Sequence, residues 1–299
     1  MKALVTGGTG FLGGALVKRL ESPRVLSRSA GRAMAVLGDG IEAFDWDPEA
    51  GPPPAAALEG VEAVFHLAGD SVGEGRWTAA KKARIRDSRE KGTRNLVAGI
   101  AAMAKRPRVL VSASAVGWYG DRGEEVLDEA APPAADFLGK VCEAWEGEAR
   151  KAEALGVRVV RLRIGVVLGP GGGALGKMLL PFRLGIGGRI GSGRQWWPWV
   201  HRDDVVGLAL HAAATPTLSG AVNAVSPHPA TNLEFTKALG RVRGRPTILP
   251  VPAFAIRLAL GEFAEVLLAS TRALPRTAEQ SGYRFRHPEL EGALREILP

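Results

Sequence analysis

Short apolar runs alternate along the chain with longer stretches in which apolar residues recur every three or four positions, the rhythm of strand followed by helix. The first run, Ala3 to Val5, predicts a buried strand, and Ala15, Leu16, Val17 and Leu20 give the helix behind it one apolar face. Residues 24–27 predict a second strand and residues 62–69 a stronger one ending in glycine. Next come a helix over 78–103, a central strand over 108–112, a helix over 137–155 and a β-branched strand over 157–164, continued by 166–168. A glycine run at 171–173 opens a helix to Phe182, and residues 185–199, rich in Gly and Trp, read as loop and edge strand. Asp203 or Asp204 caps a helix over 205–214, and residues 220–225 form a further strand. This alternation predicts an α/β fold on a doubly wound parallel sheet with helices on both faces. After Arg243 the texture changes to prolines and an Ala- and Leu-rich stretch, so a large unit over 1–243 and a small C-terminal lobe over 244–299 are expected.

The turn out of the first strand carries chemistry. Gly7, Gly10 and Gly13 have the spacing G-x-x-G-x-x-G. Gly7 permits the tight turn, Gly10 lets backbone approach a pyrophosphate, and Gly13 lets the helix pack against the sheet, while the helix N-terminus offers free N–H groups to an anion. A strand before and a helix after are the context that a dinucleotide site demands. At the end of the second strand, where an acid would bind a ribose 2′-hydroxyl, the chain has Ser27 and Arg28 and no acid. A hydroxyl and a guanidinium fork suit a 2′-phosphate, so NADP(H) is the expected cofactor. His66 reads as packed in its strand, with the small backbone of Leu67, Ala68 and Gly69 beside the adenine ribose. Arg84 and Arg89, which only partly share a helix face, are candidates for the cofactor phosphates.

Composition narrows the classes. The 299 residues, 46% hydrophobic and 23% charged, are ordinary for a globular protein. No stretch approaches the ~20 apolar residues of a membrane helix, and the first segment is the glycine-motif strand and helix rather than a signal peptide, so the cytoplasm and no membrane partner are expected. The single cysteine, Cys142, excludes an internal disulfide and a cysteine-based zinc cluster, and reads as a packed thiol; no metal is expected. The net charge of +8 raises nucleic acid as a partner, but the charge is dispersed. Its one dense run, Lys81 to Arg94, is interleaved with Asp87 and Glu90 and reads as a solvated helix face that also touches cofactor phosphate, so no nucleic-acid partner is expected.

The segments Thr6-Gly7-Gly8-Thr9-Gly10-Phe11-Leu12-Gly13, Leu67-Ala68-Gly69, Ser112 through Gly120 and Trp199 through Val205 together resemble the extended short-chain dehydrogenase/reductases. More narrowly, Arg76-Trp77, Ser88-Arg89, Asp136-Phe137-Leu138, Trp145-Glu146, Gly165 through Leu168 and Gly191-Ser192-Gly193 are similar to the atypical "epimerase family" branch, often labelled nucleoside-diphosphate-sugar epimerase, with its short C-terminal domain of unknown function. The resemblance covers essentially the whole chain. It implies an NADP-binding Rossmann domain with Phe11, Leu12, Ser27, Arg28, Leu67, Ala68 and Val167 near the cofactor, a small-molecule substrate and a homodimer formed through the helices at 78–103 and 137–155.

The same resemblance implies a Ser, then a Tyr acid/base with a Lys four residues on. Ser114 fits the first position, but the matching helix reads Asp136-Phe137-Leu138-Gly139-Lys140-Val141. Aligned on Phe137 it has Phe for Tyr and Val141 for Lys; aligned on Lys140 it has Asp136 for Tyr. Tyr119, in the loop beyond the central strand, is the substitute acid/base expected, or else a pocket-wall aromatic. Glu143 and Glu146 are weaker acid/base candidates, or else solvated helix carboxylates. Trp196, Trp197, Trp199, His201 and Asn223 are candidates for the substrate side or for packing.

Overall fold

The computed structural model describes residues 1–298. Among them, seven parallel strands form one sheet: β1 (Ala3–Thr6), β2 (Arg24–Ser27), β3 (Glu42–Asp45), β4 (Ala63–His66), β5 (Val109–Ala115), β6 (Arg158–Ile164) and β7 (Gly220–Ala224). Their spatial order is 3-2-1-4-5-6-7, so the winding reverses between β1 and β4 and leaves a crevice at their carboxyl ends. Strand periodicity sorts side chains between two cores. Ala3, Val5, Phe65, Val109 and Val111 face one layer, which contains Leu16 and Val17 of α1 (Phe11–Val17), Ala33 of α2 (Ala30–Leu37) and Val206, Leu208 and Ala209 of the helix at Arg202–Ala214. Leu4, Val64 and Leu110 face the other, with Leu96, Val97 and Ile100 of α3 (Ala79–Ala101) and Ala149 of α4 (Phe137–Arg150).

The apolar pattern did not foretell α2 or β3. Strand β3 is the sheet's edge, and Glu42 and Asp45 are exposed, so its alternation is too short and polar to register. Helix α2 starts on a cap instead, the Ser29 hydroxyl accepting the Arg32 N–H. The helix at Arg202–Ala214, α5, corrects an expectation. Its cap is His201, whose ring accepts the Asp203 N–H. Asp204 is buried inside, where its carboxylate accepts the N–H groups of Arg286 and His287.

That carboxylate joins the C-terminal segment to the sheet's helical layer. Elsewhere Arg272–Ala273 pairs with Val126–Leu127, and Val251 bridges Ile190. A third core, with Trp197, Trp199 and Leu168, is shared by α6 (Asn232–Arg243) and α7 (Leu290–Ile297). The outward residues of α3 and α4, the helices named for a dimer, include Arg84, Arg86, Lys91, Arg94, Lys140 and Glu143. No described helix is long and apolar enough to cross a membrane.

The approach of α1 to β1 is close. A Cβ on Gly13 would land on the Gly7 carbonyl oxygen, which is backbone and cannot step aside. Gly13→Ala is therefore expected to lower stability by about 1–3 kcal/mol, the usual range for overpacking, read as a lower urea midpoint at unchanged slope.

Candidate functional site

The crevice at the β1–β4 switch point is a cleft of about 670 Å³. Its wall is made by Gly7 to Gly10, Leu26 to Arg28, Leu67 to Ser71, Asp47, Glu49, Arg84 and Ser88. Gly7, Gly10, Ser27, Arg28, Leu67, Ala68, Gly69 and Arg84 thus stand together on one wall. Gly7 has φ +70°, and a Cβ there would lie 2.9 Å from the Leu67 carbonyl, so glycine is required twice over. No side chain caps α1 at Gly10 and no acid stands in its first turn, which leaves the positive end of the helix uncompensated beside the cleft.

One hydroxyl fixes both lips. Thr6 Oγ1 accepts the N–H groups of Leu67 and Ala68 at 3.2 and 3.1 Å and lies 2.7 Å from His66 Nδ1. With two donors already on its oxygen, Thr6 gives its own hydrogen to Nδ1, so His66 carries its proton on Nε2 and donates to Thr93 at 2.9 Å. His66 is a packed strand residue, as expected. Burial first, and the Arg89 charge second, pull its pKa down to about 4.

At the 2′ end Arg28 is exposed and has no ion-pair partner among the described residues. Two nearby carboxylates each accept a backbone N–H group, Asp45 that of Ala30 at 2.7 Å and Asp47 that of Glu49 at 3.0 Å, while Glu49 also lines the cleft. The basic run on α3 is not simply a solvated face. Lys81 is buried and pairs with Asp70 at 2.8 Å. Arg89 lies behind Gly69 and donates to the carbonyls of Asp70 and Ile85, its guanidinium 5.0 Å above the Trp145 ring. Burial lowers its pKa. Phe11, Leu12 and Val167 are not on the cleft wall. The Phe11 ring fills the space beside Gly169, Gly172 and Gly173, with Arg202 over it, and a Cβ on Gly173 would also meet the Val167 carbonyl.

Ser114 and Tyr119 come together, but in a buried polar cluster rather than on that wall. Ser114 Oγ donates to Glu146 at 2.8 Å. Glu146, 1% exposed, also receives Arg163 at 2.8 Å and Arg161 at 3.1 Å, so it is no solvated carboxylate. The Tyr119 hydroxyl donates to Asn223 Oδ1 at 2.6 Å and accepts from Arg163 at 3.1 Å. The ring is fully buried, and burial pushes the phenol up to about 12. This position argues against Tyr119 as the acid/base: the hydroxyl is committed on both sides and ionises with difficulty. Asn223 likewise holds Tyr119 and the Leu274 carbonyl.

Phe137 packs edge-on against Trp77 at 5.2 Å, under the Lys82 ammonium, and Trp77 reaches Phe263. Lys82 pairs with Glu262 and Arg76 donates to the Leu258 carbonyl, so the position expected for a tyrosine serves as a clasp to the C-terminal segment. Val141 is buried. Cys142 is buried too, its thiol pushed up to about 12 by burial, in keeping with a packed residue. His201, His287 and Glu296 converge within 4.8 Å. Because His201 Nδ1 accepts the Asp203 N–H, its Nε2 carries the hydrogen given to Glu296, and that tautomer offers no lone pair there to a metal.

Arg163 and the burial of Glu146 were missed, though a signal existed. Val141, Cys142, Trp145, Glu146 and Ala149 fall at helical spacing on the buried face of α4, and the alternation of β6 sets Arg161 and Arg163 on one side of the strand.

Comparison with known proteins agrees with this architecture. Residues 3–224 match the NAD dependent epimerase/dehydratase family and residues 251–297 a domain of unknown function. An epimerase family protein of Mycobacterium bovis is 41% identical over 97% of this chain and 95% of its own length. The crystal structure of human epimerase family protein SDR39U1 with NADPH superposes with TM-score 0.88 at 35% identity, over 100% of this chain and 99% of that one. UDP-glucuronic acid 4-epimerase from Bacillus cereus, with NAD, shares the fold at TM-score 0.79 and 16% identity over 100% and 96%.

Two outcomes follow from the buried groups. The folded pKa of His66 lies below its unfolded value, so its contribution to stability is complete above about pH 6.5 and is lost as pH falls toward about 4. Between pH 7 and 5 the loss is about 2 kcal/mol, measurable by urea titration at both pH values and flattened in His66→Asn. Tyr119→Phe strands Asn223 and one Arg163 N–H and is expected to cost about 1–3 kcal/mol in the same assay.

Proposed function

The chain belongs to the NAD-dependent epimerase/dehydratase family, and we propose that it is an NADP(H)-dependent oxidoreductase or epimerase-like enzyme acting on a small polar substrate, nucleotide-linked substrates included. Arg28 carries the cofactor reading. It is a free guanidinium at the 2′ end of the cleft, and Asp45 and Asp47 near it each accept a backbone N–H group. The human relative solved with NADPH supports the same preference. The fit is good elsewhere too: Gly7 to Gly10 and the open end of α1 cradle the pyrophosphate, and Leu67 to Gly69 border the adenosine. When bound, the cofactor supplies a hydride donor or acceptor at its nicotinamide. The compartment is read as the cytoplasm.

On the reacting side the chain's own residues suggest a route without the Tyr–Lys pair. Ser114 gives its hydrogen to Glu146, so what it can offer a ligand is a lone pair. Ser114 then positions a substrate hydroxyl, while Glu146, ion-paired with Arg161 and Arg163, fixes the direction of the Ser114 hydrogen. Tyr119 stays structural. A second reading, an NADP(H)-binding sensor or scaffold with little turnover, is favoured by one observation: Phe137 and Val141 are packed residues where acid and lysine would stand.

Calorimetric titration tests the cofactor assignment. A charge-assisted pairing of Arg28 with the 2′-phosphate is worth about 1.5–3 kcal/mol, so Arg28→Ala should weaken NADPH roughly tenfold to a hundredfold and leave NADH nearly unchanged. Equal wild-type affinities for the two would refute it. Ser114→Ala separates the two readings: on the enzyme reading it abolishes turnover of an identified substrate without altering NADPH affinity.

A further inference from the structure

The surface farthest in character from the cofactor cleft lies on the C-terminal segment. Ile248 is 83% exposed, Leu249 59%, Phe254 71% and Leu258 75%. Phe254 and Leu258 are one turn apart on the helix at Ala253–Leu260, so both project from one side of it. The chain before Ile190 runs beside this segment: Ile190 bridges Val251, and Gly188 has no room for a Cβ against the Leu249 carbonyl. That neighbouring stretch carries Leu184 and Ile186, 65% and 54% exposed. Isolated exposed apolar residues need no explanation, but six large ones on two adjoining segments do.

The charge of those segments says what the surface fits. Residues 154–202 and 235–261 contain no Asp or Glu. Directly before Ile248, an open groove of about 410 Å³ is lined by Lys237, Arg241 and Arg245. Arg241 is paired with Glu291, but Lys237 and Arg245 have no ion-pair partner among the described residues, and both are exposed, as is Arg183 before Leu184. Arg257, on the helix of Phe254 and Leu258, is paired with Glu265, whereas Lys237 and Arg245 are not; protruding apolar side chains beside unpaired cations match a bilayer interface, where the side chains enter the acyl boundary while the cations meet anionic headgroups. A groove for a peptide would instead bury its apolar residues in a concavity, and these stand outward.

We propose that this face is a peripheral docking surface for an anionic lipid bilayer, with the Lys237/Arg245 groove at headgroup level and Ile248, Phe254 and Leu258 inserted. This is association with a surface and involves no spanning segment. It does not depend on the cofactor reading, because none of these residues lines the cleft.

Flotation of the full chain with vesicles tests it, comparing phosphatidylcholine alone with phosphatidylcholine containing phosphatidylglycerol. Binding is expected to the mixed vesicles only, and to fall steeply in high salt as the cations are screened. Lys237→Ala and Arg245→Ala should each weaken it about fivefold. Leu258→Asp or Phe254→Asp should weaken it at least tenfold even at low salt, since each removes a fully inserted side chain. Unchanged melting temperature and NADPH affinity would show that these exposed positions left the fold intact. Absence of binding at low salt, equal binding to neutral vesicles, or indifference to both aspartate variants would overturn the proposal. So would failure to bind vesicles together with concentration-dependent self-association abolished by Leu258→Asp, which would give the face to a second copy of the chain.

Discussion

Three passes of backbone meet at Gly7 with no space left between them. The Leu67 carbonyl closes on its α-carbon from one side, and Gly13 rests on its carbonyl oxygen from the other. Thr6, one residue earlier, ties the N–H groups of Leu67 and Ala68 to the end of β1. Because β1 and β4 are neighbours at the point where the winding reverses, these contacts set the width of the crevice itself. A side chain at Gly7 or Gly13 would therefore alter the cleft before it altered any contact with a ligand. The histidine below is part of the same device: it satisfies the Thr6 hydroxyl in one tautomer only, and its burial keeps it in the neutral form that this arrangement needs.

The second constraint is electrostatic. Glu146 lies among Ser114, Arg161 and Arg163 with almost no exposure. A buried carboxylate is tolerated only when paired and hydrogen-bonded, and here both oxygens are. Arg163 extends the cluster through Tyr119 to Asn223, and Asn223 to the Leu274 carbonyl, so a continuous chain of polar contacts runs from Ser114 into the C-terminal segment. Removing one member leaves others stranded in a low dielectric, so substitutions in this cluster will couple rather than add.

Much of the cofactor side was legible in the sequence because its determinants are local. The glycine spacing, the strand before it and Ser27-Arg28 after the next strand lie within one βαβ unit. The reacting side was legible only in part. Ser114 was a candidate from its place beyond a central strand, but its hydrogen-bond partner sits 32 positions away on another helix, and spacing within one element cannot reveal a cross-element bond. Tyr119 was misjudged for the same reason: its loop lies at the sheet's carboxyl edge, while the residues that bury it come from positions near 163, 223 and 273. The edge strand β3 and the cap at His201 escaped because tertiary context, rather than pattern, decides them.

The C-terminal segment folds as a return of the chain onto the large unit. Its strand at Arg272–Ala273 extends a pairing begun at Val126, its backbone at Arg286 and His287 satisfies the buried Asp204, and Phe263 and Glu262 meet Trp77 and Lys82. The last of these contacts lands on the run between Gly69 and α3, whose near end, at Asp70 and Ser71, walls the cofactor cleft. The ring of Phe137 completes that clasp from the position where a catalytic tyrosine would be expected. Phe137 at this position thus serves the packing that joins the two parts of the chain.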